Sequence, residues 1–144
     1  MNCEITMAPD LFLTDFDNLA VPTSPNTWLV APAGFEPAKP DAAAPVFELP
    51  AKWLAQAWIS VVESEPRTKI LAVSEDGLQI EAEQRSAVFG FLDRISTKCV
   101  TLQPTRSTLV AYSRSRVGYW DFGVNRNRLQ RWLAKLQVKR DVSG

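Results

Sequence analysis

The run Ser113-Arg-Ser-Arg-Val-Gly-Tyr-Trp-Asp-Phe-Gly-Val-Asn-Arg-Asn-Arg128 holds four arginines, one carboxylate, three aromatics, two glycines and two asparagines. Forked guanidinium groups beside unpaired backbone N–H groups make a receptor for carboxylate or phosphate. Strand alternation places Val110, Tyr112, Arg114 and Arg116 on one face and Leu109, Ala111, Ser113 and Ser115 on the other, so Arg114 and Arg116 project together. Gly118 and Gly123 allow tight turns, and Asn125 or Asn127 can cap a following helix. Arg126, Arg128 and Arg131 then fall at that helix's positive end, where an exposed cation costs about 0.3–1 kcal/mol. Such placement calls for a nearby negative group: Asp121, Asp93 or an external anion. The candidate ligand-binding set is therefore Asp93, Arg114, Arg116, Asp121, Asn125, Arg126 and Arg128, forming either an internal ion network or an anion pocket.

Other chemistry is thinly represented. The chain has no histidine, which removes Ser-His and Cys-His nucleophile systems and histidine metal sites. Cys3 and Cys99 are far apart and form no Cys-x-x-Cys pair; Cys99 reads as a small buried strand residue. Neither catalytic residues, nor a metal, nor a cofactor is expected. Asp121-Phe-Gly123 matches a kinase tripeptide without the rest of that machinery. Ser86 has no visible base.

Net charge is zero over 144 residues, but unevenly spread. Residues 1–104 carry 7 basic and 14 acidic groups, and residues 105–144 carry 9 basic and 2 acidic. That split suits an anionic small molecule or a protein partner. Nucleic acid is not expected, because the C-terminal helix is short and its apolar stripe is needed for the core. No apolar stretch approaches a membrane span, and the first ten residues do not read as a signal peptide. The expected setting is soluble and cytoplasmic, with no membrane.

The positioning elements follow from periodicity. Residues 1–19 are an acidic leader that could dock Leu11, Phe12, Leu13 and Phe16. Residues 20–50 hold seven of the ten prolines, which argues against long helix or central strand and for an extended arm. Trp28, Leu29, Val30, Phe35 and Phe47 give that arm reason to lie on the core. A first helix covers 51–63, with Leu54, Trp58 and Val61 at helical spacing, and ends before Pro66. Strands are expected at 68–73, 78–84, 95–102 and 107–112. In the second, Leu78, Ile80 and Ala82 point inward and Gln79, Glu81 and Glu83 outward. The last helix spans 127–138, with Leu129, Trp132, Leu133 and Leu136 as its stripe.

Two stretches, Gln84-Arg-Ser-Ala-Val-Phe-Gly-Phe-Leu-Asp93 and Tyr112 to Arg128, resemble the signature segments of the domain-of-unknown-function 1499 family. Thr23-Ser-Pro-Asn26 and the proline-rich arm are similar to the N-terminal part of its bacterial members, so the resemblance runs from about Ala20 to Leu136. It implies no specific activity. Many members have an acidic pair where this chain reads Asp93-Arg94, which argues against a two-carboxylate mechanism.

The expected architecture is α+β: a four-stranded antiparallel sheet packed by two helices, with an N-terminal proline-rich extended arm. The chain divides into leader 1–19, arm 20–50, domain 51–138 and tail 139–144. The leading functional reading is a non-catalytic binding module with an arginine-rich anion-binding or structural site. The alternatives are a protein-interaction module using the arm and an enzyme acting on an anionic small molecule.

Overall fold

The computed structural model describes residues 13–87, 90–118 and 120–143. Cys3, Leu11 and Phe12 lie outside them. The elements are β1 (Thr27–Ala31), β2 (Ala42–Ala43), α1 (Ala51–Ser64), β3 (Thr68–Val73), β4 (Gln79–Arg85), β5 (Leu92–Gln103), β6 (Arg106–Ser115) and α2 (Val124–Ser143).

The sheet corrects the expected four antiparallel strands. It has six, ordered β2-β1-β6-β5-β4-β3, and it is mixed, because β1 and β2 run parallel. Strands β3 to β6 form the expected antiparallel meander. The two extra strands come from the proline-rich segment. Pro25 and Pro32 bracket β1, while Pro40 and Pro45 bracket β2, so the prolines mark strand ends and leave the ladder residues proline-free. Strand β1 pairs antiparallel with β6 from Thr27↔Arg114 to Val30↔Ala111. Asp41 supports the link to β2: its carboxylate accepts the Leu29 N–H at 2.8 Å.

Helix α1 starts after Pro50 and ends at Glu65, whose extended backbone precedes Pro66. Leu54, Trp58, Val61 and Val62 on α1 meet Leu129, Trp132 and Leu136 on α2 over Ile80, Ala82, Ile95, Cys99, Leu109 and Ala111. The Trp58 and Trp132 rings meet edge to face, with centroids 5.7 Å apart. Burial pushes the Cys99 thiol up to about 12, which keeps it protonated and unreactive.

The far face of the sheet is also covered. Phe16 and Leu19 pack with Leu29, Ala31, Val110 and Tyr112. Glu81, expected to face solvent, is fully buried there. Its carboxylate accepts hydrogen bonds from the Thr14 N–H, the Ser96 hydroxyl and Arg94 Nε. Alternation places Glu81 on the expected face, but the segment from Thr14 onward closes over that face and excludes water.

The core predicts a sharp size dependence at α2. Trp132→Ala should cost about 3–5 kcal/mol through lost burial and a residual cavity, read as a lower urea midpoint with unchanged slope.

Candidate functional site

Asp93 opens β5 opposite Gln84 and Ser115. With Ser113, these residues occupy the helix-facing side of one end of the sheet. Helix α2 crosses that end, and Asn125 and Arg128, three residues apart, share the side that reaches down to it. Arg128 is the hub. Its Nη2 donates to Asp93 Oδ2 at 2.6 Å, and its Nε donates to Gln84 Oε1 at 2.6 Å. Its Nη1 is shared between Ser113 Oγ at 2.9 Å and Asn125 Oδ1 at 2.8 Å. Both charged partners are almost sealed, with side-chain exposures of 4% for Arg128 and 7% for Asp93.

Asn125 extends the network to the start of the chain. Its Nδ2 is shared among Asn26 O, Ser115 Oγ and Asp121 Oδ2. Asn26 in turn donates to Gly118 O at 2.7 Å. Asp121 caps α2, accepting the Gly123 N–H through Oδ1 and the Asn125 N–H through Oδ2. A carboxylate at the positive end of the helix offsets the cations placed there.

The candidate residues separate into three places. Asp93, Arg128, Asn125 and Asp121 come together as described. Arg114 lies on the opposite face of the sheet, over the Tyr112 ring at 4.6 Å and donating to Ser96 Oγ at 3.1 Å. Burial pushes its pKa down, against the raising influence of Tyr112 and Glu81. Arg116 follows the end of β6 and is exposed, and Arg126 lies over Trp28 at 5.4 Å. Arg114 and Arg116 do not project as a pair, because regular strand stops at Ser115.

Sequence reasoning missed Gln84, Asn26 and Glu65. Gln84 carried a signal: it continues the inward series Ile80, Ala82, and a polar residue there needs an internal partner. Glu65 follows the last turn of α1, where Arg131 Nη2 donates to it at 2.9 Å and Lys135 also pairs with it. Burial alone would raise the Glu65 carboxyl, but Arg131 and Lys135 outweigh that and hold it down at about 2.

These groups border a cleft of about 770 Å³, lined by Arg67, Arg85, Arg128, Arg131 and Lys135 with Glu65 as the one carboxylate. Arg67 Nε donates to Arg85 O and Arg85 Nη1 to Gly90 O. Among the described residues, neither has a carboxylate within ion-pair distance. A groove near the β3–β4 turn mixes Lys52 with Glu75 and Asp76 and offers no comparable charge. Among the described residues, no group of three His, Cys, Asp or Glu could hold a metal ion, and no described helix is long and apolar enough to cross a membrane.

Two substitutions separate bracing from surface charge. Arg128→Ala strands the buried Asp93 carboxylate and should cost about 3–5 kcal/mol. Arg126→Ala loses only an exposed stacking contact, about 0.5–1 kcal/mol. Urea unfolding of both variants measures the gap. Glu65 sets an acid limit. Its folded pKa lies below the ordinary 4.5, so its stabilisation is present above that value and drains away as pH falls toward about 2. Glu65→Gln should therefore flatten the pH dependence of the urea midpoint across that window.

Neither the curated proteins nor the solved structures contain a significant match to the chain. The family model described as "Protein of unknown function (DUF1499)" matches residues 19–136. That span takes in the sheet, α1, the Arg128 network and the basic cleft, and the chain belongs to this family.

Proposed function

We propose that the domain is a non-catalytic binding module that holds a small anionic ligand in the cleft beside Arg128. The observation carrying this reading is the charge of the lining: of its five cations, Arg128 pairs with Asp93 and Arg131 and Lys135 share Glu65, while Arg67 and Arg85 have no carboxylate partner among the described residues. Two of the cations, Arg67 and Arg85, are held by backbone carbonyls, which fix a guanidinium without neutralising it. Arg128 forms a rigid wall because its own charge is already spent on Asp93. A site with fixed walls and uncompensated guanidinium groups favours carboxylate or phosphate.

A catalytic role has less support. Glu65 is held ionised far below neutral pH, so it is a poor general acid or base there. Ser86 lines the cleft, but the lining supplies no histidine to activate it. The reading as a protein-interaction module on the proline-rich arm is also weaker, because β1 and β2 commit part of that arm's backbone to the sheet.

The test is a thermal-shift titration with inorganic phosphate, a phosphate monoester and a dicarboxylate at matched ionic strength. A saturable rise in Tm is expected from mass action. The Arg67→Gln/Arg85→Gln double variant should lose that rise while its own stability changes by no more than about 0.5 kcal/mol per exposed site. The absence of a saturable shift with any of the three at millimolar concentration would sink the reading.

A further inference from the structure

The end of the sheet that carries the cleft also carries an unusual concentration of exposed apolar side chains. Phe91 precedes β5, Val117, Trp120 and Phe122 lie between β6 and α2, and Val124 begins α2. Trp120 is 65% exposed and Phe122 is 91% exposed. Soluble surfaces scatter such residues singly; grouped at one end they mark a contact site.

Phe122 is held outward at a cost. Its φ is 55°, a left-handed conformation that bulky side chains rarely adopt. The Asp121 carboxylate, just before it, braces the turn by taking the Gly123 and Asn125 N–H groups that follow it. Strain of this kind persists where the surrounding structure enforces it, and it clusters at functional segments. The loop thus spends conformational energy to present a phenyl ring to water.

The charge at this end is one-sided. Arg116 lies beside Phe91 and Val117, and Arg126 lies beside Trp120 and Phe122. The carboxylates of the same segments are already engaged: buried Asp93 with Arg128, and half-buried Asp121, which borders the same hollow as Arg126, with backbone N–H groups and Asn125. An apolar tip flanked by arginines is complementary to a surface with an anionic rim and an apolar interior.

We infer that this tip docks the domain on the surface of an anionic lipid bilayer, with Trp120 and Phe122 entering the headgroup boundary and Arg116 and Arg126 lying on lipid phosphates. No described helix is long and apolar enough to span the bilayer. Trp120 and Phe122 protrude from one short segment between β6 and α2, a form that a fluid interface accepts. A protein partner requires a packed, shape-matched surface. Tryptophan and arginine are the side chains suited to that boundary, since each pairs an apolar body with a polar end. The inference is separable from the ligand in the cleft, because Arg67 borders neither hollow of the tip, although Arg85 borders the one beside Phe91 and Arg116.

Co-sedimentation with vesicles tests it. The full chain should pellet with phosphatidylcholine vesicles containing about a quarter phosphatidylglycerol and not with phosphatidylcholine alone, and rising salt should release it. Tryptophan emission should shift to the blue on binding, and Trp120→Phe should remove most of that shift while keeping the protein in the pellet. Trp120→Ser/Phe122→Ser should weaken vesicle binding at least tenfold with an unchanged melting temperature. Arg116→Glu/Arg126→Glu should abolish the preference for anionic lipid. Failure to pellet with the anionic vesicles at low salt overturns the inference, as does equal binding by the serine variant. A serine variant that instead loses self-association by light scattering assigns the tip to a second copy of the chain and overturns it too. Arg67→Gln, which removes a cleft cation that borders neither hollow of the tip, should weaken the anion response and leave vesicle binding intact, so the two readings fail separately.

Discussion

One buried ion pair fixes the arrangement of this domain. Arg128 and Asp93 are sealed from water, and sealing two charges is costly unless their remaining hydrogen-bonding capacity is met. Here Gln84, Ser113 and Asn125 meet the guanidinium's demand, each from a different element. The pair therefore does more than attract across a gap. It specifies where β4, β5, β6 and α2 must lie relative to one another, because any slip leaves a charge or an amide unsatisfied. The tryptophan contact between the helices would tolerate small displacements; the network would not.

The same economy governs the cleft. Arg131 and Lys135 follow Arg128 along α2 and converge on Glu65 beyond the end of α1. The carboxylate ties the two helices together, and Arg67 and Arg85 remain as the lining cations without a carboxylate partner among the described residues. On the opposite face, Glu81 performs the related task of anchoring Thr14 to the sheet. The fold thus places buried carboxylates on both faces, each surrounded by donors.

Much of this was legible in the residues. The helical stripe of Leu129, Trp132 and Leu136 and the alternation in β4 locate the core, since burial imposes those periods directly. The misplaced charge of Arg126, Arg128 and Arg131 at a helix start pointed to a nearby anion, and Asp121 and Asp93 are two of the groups that supply it. What could not be read was long-range. That Arg114 and Arg128 part to opposite faces depends on where β6 ends and α2 begins. That Glu81 is buried depends on Thr14, 67 residues earlier in the chain. The two added strands escaped notice because short runs between prolines resemble loop when strand is judged by composition, and only pairing makes them strand: β1 with β6, and β2 with β1.

The pairing of β1 with β6 also governs when this chain can fold. Strand β1 is synthesised before its antiparallel neighbour, which ends at Ser115, and the Asn26–Asn125 bond bridges 99 residues. The β3–β6 meander can assemble through near-neighbour contacts. The earlier strand, rich in apolar groups, must wait until β6 has left the ribosome. Contacts of such sequence separation form slowly, and an unpaired strand is exposed to wrong partners meanwhile. The prolines at both ends of β1 and β2 suit that interval, since they limit how far a waiting strand can extend its pairing to another chain.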